Sequence, residues 1–300
     1  FCIKHDERQK LAPGMYHASI DSTLAPGHLT YGDLVIPGQC EKEIFLSTYI
    51  CHPSMANNEL SGPVVATALA QWVAQRPRRY TYRFAFVPET IGSITYLSRN
   101  HEALRRNVVA GFNLTCMGDE RAYSYLPSRK GNTLADKAAL HVLHHFAPDF
   151  IRYTFLDRES DERQYCAPGI DLPLCSVMRS KYHVYPEYHT SLDDCSLVTQ
   201  KGLEGSVNIM TRILEALEEN VTYEPRVLCE PQLGKRGLYP TLSTKTSCTE
   251  QVNLMMDLLA YADGETTLLE EADIVGRDIF RCAETMRKLV EKDVLAVKTC

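Results

Sequence analysis

No stretch of the sequence runs apolar for long enough to cross a bilayer, which takes roughly 20 residues, so no membrane partner is expected. Positive charge is not in excess either. Lys and Arg number 32 against 38 Asp and Glu, a net charge of -6, and mild acidity exerts no pull toward nucleic acid or anionic lipid. The eleven cysteines are scattered and make no C-x-x-C pair. Cys116 in "GFNLTCM" and Cys175 in "LPLCSVM" lie in apolar runs and read as buried thiols. An odd cysteine count without a signal peptide favours a reducing compartment, so a cytoplasmic location is expected. The opening "FCIKHDERQKL" carries neither signal peptide nor initiator methionine, and a missing N-terminal portion is expected.

What is present is ordinary globular composition, 44% hydrophobic and 23% charged, over 300 residues. That length suits one large domain and a smaller one. Residues 1–40 are rich in turn formers that punctuate short β-like runs such as "MYHASIDS", so they read as a β-rich subdomain or insert. From there strand and helix alternate. "KEIFLSTYI", "YTYRFAFV", "NVVAGFNLTCM" and "LPLCSVM" are strands. "GPVVATALAQWVAQ", "GSITYLSRN", "LADKAALHVLHHFA" and "TQKGLEGSVNIMTRILEALEEN" are helices. Strands apolar on both faces and separated by amphipathic helices predict an α/β domain over 1–222. Its sheet is mostly parallel or mixed, with helices on both faces.

After "TYEPRVLCEPQLGKRGLYP" the rhythm becomes helix, helix, helix and a β-like tail, which predicts a small winged-helix module over 223–300. Acidic residues slightly outnumber basic ones there, and the third helix mixes Arg281, Arg287 and Lys288 with Glu284 and Glu291. A DNA reader needs a basic face, so an accessory or interaction role is expected instead of nucleic-acid binding.

In an open α/β sheet, ligands collect at the carboxyl ends of strands. His52, Glu89, Asp119 and His189 all fall at such ends. Two histidines and carboxylates at one sheet edge point to zinc, which takes nitrogen and oxygen donors and keeps a position for water. Glu89 also suits a helix start, where a carboxylate favours the dipole. Asp161 in "SDERQY" reads either as a helix cap or as a site residue. Arg163 and Arg179 read either as carboxylate-binding groups or as ion-pair residues. Cys51 reads as a small apolar filler at a strand end, Pro53 as fixing the turn, and Asn57 and Asn58 as tolerating its tight backbone.

"CHPSMANNELSG", "FVPETIGS", "SDERQYCAPGIDLP" and "YPEYHTSLDD", in that order, resemble the M28-like zinc aminopeptidases. More narrowly, they resemble bacterial aminopeptidase-like proteins of the DUF4910/DUF2172 type that carry a C-terminal winged helix and are linked to surface-polysaccharide gene clusters. The resemblance covers essentially the whole chain and implies an aminopeptidase/phosphorylase-hydrolase-like fold and hydrolysis of a peptide or small amide. It gives His52, Asn58 and His189 as metal ligands and Glu89 as the base. Two departures stand out. Asn58 occupies the place of a metal-bridging aspartate, and Thr90 follows Glu89 where a second glutamate belongs. A neutral amide supplies no charge to hold two dications, so one zinc or none is expected instead of two. Asn58, Glu59, Asp161 and Glu162 are candidates for the third donor. Asp161, Glu162 and Glu187 are candidates for holding a substrate ammonium, and Arg163 and Arg179 for a substrate carboxylate. A homo-oligomer is compatible with the sequence. The competing reading is a peptidase scaffold that has lost hydrolysis and acts in polysaccharide biosynthesis.

Overall fold

A computed structural model describes residues 3–52, 54–239 and 245–298. It comprises two compact units: Phe1–Asp136 with Asp149–Asn208, and Lys137–Pro148 with Ile209–Cys300. By compactness the second unit takes in more chain than the segment from 223 onward.

The first unit is built on strands β1 (Gly32–Ile36), β2 (Glu43–Tyr49), β3 (Thr81–Val87), β4 (Val108–Leu114), β5 (Ser124–Leu126), β6 (Ile151–Arg152) and β7 (Leu174–Met178). They form one seven-stranded mixed sheet in the order β1-β3-β2-β4-β7-β5-β6. The β3-β2-β4-β7 centre is parallel, and antiparallel pairs occur at β1–β3 and β5–β7. Every residue of β2 and of β7 is buried, as a strand covered on both faces requires. Helix α2 (Ser61–Ala74) packs on β2, β3 and β4. Gly62 permits that approach, because a Cβ there would lie 2.4 Å from the Leu114 carbonyl oxygen and 2.5 Å from Thr48 Oγ1. Helix α3 (Ile91–Asn107) and short α5 (Glu162–Tyr165) share a core with Phe45, Tyr49 and Val87 through Tyr96, Leu104 and Tyr165. Successive strand residues point to opposite faces, so Thr48 under α2 and Tyr49 under α3 put the two helices on opposite sides of the sheet.

The β-rich segment expected over residues 1–40 does not form. Helix α1 (His5–Gln9) is followed by exposed chain, and β1 is the single strand among residues 3–40. β1 takes the edge beside β3. The earlier runs, broken by "APG" turns, have no partner ladder to satisfy their backbone groups, and a strand does not persist without one. Pro53 lies outside the described residues.

Helices α4 (Leu134–Phe146) and α6 (Gln200–Glu219) each begin in the first unit and continue into the second. The second unit also holds α7 (Lys245–Tyr261), α8 (Leu268–Val275), α9 (Ile279–Glu291) and the antiparallel pair β8 (Tyr223–Pro225) and β9 (Leu295–Val297), a winged-helix arrangement. Thr267 and Glu270 form a capping box on α8, and the Asp278 carboxylate accepts from Arg281 N–H at the start of α9. The basic residues of α9 are paired with acids: Arg287 with Glu219 at 2.7 Å, Lys288 with Glu284 at 2.7 Å and Arg281 with Glu250 at 3.9 Å.

Among the described residues of this unit, Glu271 is the buried side chain left without a hydrogen-bond partner. It is fully buried, and neither carboxylate oxygen has a hydrogen-bond partner. Burial, helped by the nearby Asp263 charge, pushes its carboxyl from 4.5 up to about 8. The folded unit therefore keeps this proton across a range in which the unfolded chain has released it. Stability should fall by about 1.4 kcal/mol per pH unit as pH rises from near 4.5 and level off above about 8. Glu271→Met should flatten that slope in calorimetric scans between pH 5 and 9, and an unchanged slope would place the titration elsewhere.

Candidate active site

The site is assembled where β2 and β3 leave the sheet. Ile50 N–H still donates to the Val87 carbonyl at 2.9 Å, which carries Cys51 and His52 alongside Pro88 and Glu89. The chain then winds through a π-helical turn, Ala56–Leu60, directly into α2. That turn returns Glu59 to the point of departure. Its Oε1 lies 2.8 Å from His52 Nδ1, and its Oε2 accepts the Cys51 N–H at 2.6 Å. Both oxygens are thereby used, and His52 Nε2 is left as the nitrogen facing outward. A buried carboxylate behind an imidazole is the arrangement that fixes the ring and its tautomer in metal sites.

The same turn is clasped from the far end of the sequence. Asp193, fully buried, accepts the backbone N–H of Asn57 at 2.6 Å, that of Asn58 at 3.1 Å and the Tyr185 hydroxyl at 3.0 Å. Its own carbonyl accepts Ala56 N–H at 3.0 Å. The loop carrying His189 is thus bonded to the loop carrying His52, and the two imidazole centroids stand 4.6 Å apart. His189 has a left-handed backbone with φ 54, and its ring stacks on Tyr188 at 4.0 Å. Burial first, then the neighbouring His52 and His183, lowers its pKa, so the ring is held neutral with a lone pair to give.

Glu89 is half-buried, and burial raises its pKa; the Glu59 charge adds to the rise, and His52 and Arg163 oppose it. Thr90 follows at φ 60 and ψ -68, a region costly for a β-branched residue. It is held there by Asp161, whose Oδ1 accepts Thr90 N–H at 2.7 Å and the Ser93 hydroxyl at 2.9 Å. Asp161 caps α3 in this way and makes no side-chain bond to its own helix α5. Burial is the main cause that lifts its carboxyl to about 7, and Oδ2 is buried without a partner.

The remaining candidates fare differently. Glu162 is consumed internally, accepting Glu159 N–H, Ser160 N–H, the Tyr182 hydroxyl and Asn113 Nδ2. Glu187 is held bidentately by Arg121. Asp119, buried, accepts from Asn57, Arg121 and Ser180. Arg179 is buried, donates to the Asp119 carbonyl at 2.6 Å and lies over Tyr123. Arg163 is exposed, donates to Thr90 Oγ1 at 3.1 Å and is the guanidinium beside Glu89. Asn58 Nδ2 donates to the Tyr49 hydroxyl at 3.0 Å, and its Oδ1 is buried with no partner. Cys51 is exposed, against its reading as a buried filler, because β2 ends two residues earlier.

Among the described residues, Cys51, His52 and Glu89 each offer a donor atom, all within 4.8 Å of one another. These sulfur, nitrogen and oxygen donors are of the kinds zinc takes, and the His189 ring lies 4.6 Å, centroid to centroid, from that of His52, so the residues present fit one zinc ion. They do not fit a carboxylate-bridged pair, since Asn58 brings a neutral amide to the bridging place. Glu59 was visible in the sequence as a donor but not as the brace behind His52. Asp193 was not singled out, because "SLDD" offers two aspartates and nothing local marks the buried one.

Comparisons with known proteins agree with this architecture. A Clostridium acetobutylicum protein named for polysaccharide biosynthesis and for an aminopeptidase-like domain is 39% identical over 284 residues, 94% of this chain and 64% of that protein. A crystal structure from the same organism, assigned provisionally as a peptidase, superposes with TM-score 0.82 at 37% identity, covering 89% of this chain and 60% of that one. The chain thus spans less than two thirds of the length of these relatives. The zinc aminopeptidase of Bacillus subtilis shares the fold with TM-score 0.53 at 18% identity, over 62% of this chain and 49% of that one. Residues 221–297 match the winged helix-turn-helix model. Residues 6–220 match the model of a domain of unknown function, DUF4910, and the chain belongs to that family.

Proposed function

We propose that this chain is a zinc-dependent, M28-like hydrolase acting on a peptide or related amide bond next to a free amino group, in the cytoplasm. The observation that supports it best is the approach of His52 and His189 to 4.6 Å from positions 137 residues apart. His52 and His189 would hold the ion, and Glu59 orients His52 from behind. A bound zinc supplies a Lewis acid and lowers the pKa of its water toward about 7. Glu89, half-buried at the rim, is the base that takes a proton from water as it attacks the amide carbonyl. Arg163, exposed beside Glu89, is placed for a substrate carboxylate. Of the three acids considered for a substrate ammonium, Asp161 is fully buried and Glu162 and Glu187 are occupied, so none of them is open to it.

Purified wild-type protein should carry about one zinc per chain, and His189→Ala should lower that affinity by at least about 100-fold. Absence of zinc at neutral pH with excess metal would end this reading. A second reading, a non-hydrolytic module in polysaccharide biosynthesis, is favoured by Asn58. Asn58→Asp separates the two: a large gain on aminoacyl substrates marks a scaffold that has lost hydrolysis, whereas substantial native activity removes the second reading.

A further inference from the structure

The two histidines alone hold zinc weakly, and the structure narrows where a third donor comes from. Glu59 spends one oxygen on His52 Nδ1 and the other on Cys51 N–H. Glu162 receives four donors from Glu159, Ser160, Tyr182 and Asn113. Asp161 commits Oδ1 to the start of α3, and its second oxygen is shut away from solvent. Asn58 brings a neutral amide. What remains beside His52 are the exposed Cys51 sulfur and the Glu89 carboxylate, whose donor atoms lie with that of His52 within 4.8 Å of one another, and Glu89 is the base in the reading above.

We infer that Cys51 is a thiolate ligand completing a Cys51–His52–His189 zinc site, which leaves Glu89 free to act on water. The inference rests on the zinc reading above and names a donor that reading does not. Zinc bonds of about 2.0 Å to nitrogen and 2.3 Å to sulfur leave donors about 3.5 Å apart, so the Cys51 and His52 donor atoms, within 4.8 Å of each other, need only a small closure. The His189 ring, 4.6 Å from that of His52 between centroids, would swing in to join them. The Glu59 carboxylate accepts the Cys51 N–H at 2.6 Å and so fixes the backbone that carries the sulfur. Binding of the ion releases the thiol proton to solvent, forming one sulfur–metal bond and breaking one S–H bond, with no change of oxidation state.

Cobalt(II) titration of metal-free full-length protein tests this, because a thiolate on cobalt gives an intense near-ultraviolet charge-transfer band that nitrogen and oxygen donors lack. Wild-type protein should show the band at about one cobalt per chain. Cys51→Ser should lose it and bind zinc at least about tenfold more weakly in chelator competition. Cys195→Ser, which alters another exposed cysteine, should behave as wild type. Cobalt bound with no charge-transfer band, or a band that survives Cys51→Ser, overturns the inference and leaves the zinc reading standing. No cobalt or zinc bound by wild type overturns the zinc reading itself.

Discussion

On the proposed mechanism, Glu89→Gln should lower turnover of an aminoacyl amide by about 10²–10⁴-fold while zinc content stays at the wild-type level. The glutamine keeps the size and a hydrogen-bonding oxygen but accepts no proton. The paired measurement matters, because Glu89 lies close enough to Cys51 and His52 to be taken for a ligand. A ligand's loss would empty the site together with the activity, whereas a base's loss would spare the metal. The pH profile gives a second handle. Burial raises the Glu89 carboxyl, so the wild-type rate should climb with pH as that group loses its proton. The acid limb should vanish in Glu89→Gln. An acid limb that persists in the variant belongs to another group and removes Glu89 from the role.

Asp193→Ala should cost about 3–5 kcal/mol of stability in urea unfolding, with a fall in midpoint and an unchanged slope. The carboxylate is fully buried and serves two backbone N–H groups of the π-helical turn and one tyrosine hydroxyl. Truncation strands all three donors away from water. Because those bonds tie the His189 loop to the His52 loop, zinc affinity should fall as well, although Asp193 touches neither imidazole in a described bond. Asp193→Asn, which retains an acceptor of the same shape, should recover part of the loss. Equal damage from both variants would mean that negative charge, not the acceptor geometry, holds the loops.

Much of the fold was readable because burial on both faces of β2 and β7 writes mainly apolar runs, and the helices between them keep a helical spacing. His52 sits three residues past β2, where parallel topology brings strand ends to one edge, whereas His189 lies in the loop after β7, eleven residues past its end. Roles set by packing were not readable. Arg179 looks like a substrate clamp in sequence and is instead sealed over Tyr123. Glu162 looks like a site acid and instead knits four neighbours together. Cys51 follows an apolar run, and only the end of the ladder at Tyr49 shows that the chain has already turned outward. The N-terminal runs have strand-like residues, and strand structure depends on a partner that sequence does not supply.

The π-helical turn from Ala56 to Leu60 carries a consequence for chain length. Glu59 reaches back over seven positions to His52, while Asn57 and Asn58, inside the same turn, face Asp193. Removing one residue between 52 and 59 would rotate every later side chain of the turn by roughly a quarter revolution and point the brace away from the ring. Insertions elsewhere on this surface are cheap by comparison. A chain that keeps this pocket therefore has to keep that residue count, and the interval becomes a ruler for recognising the pocket where the surrounding letters have drifted.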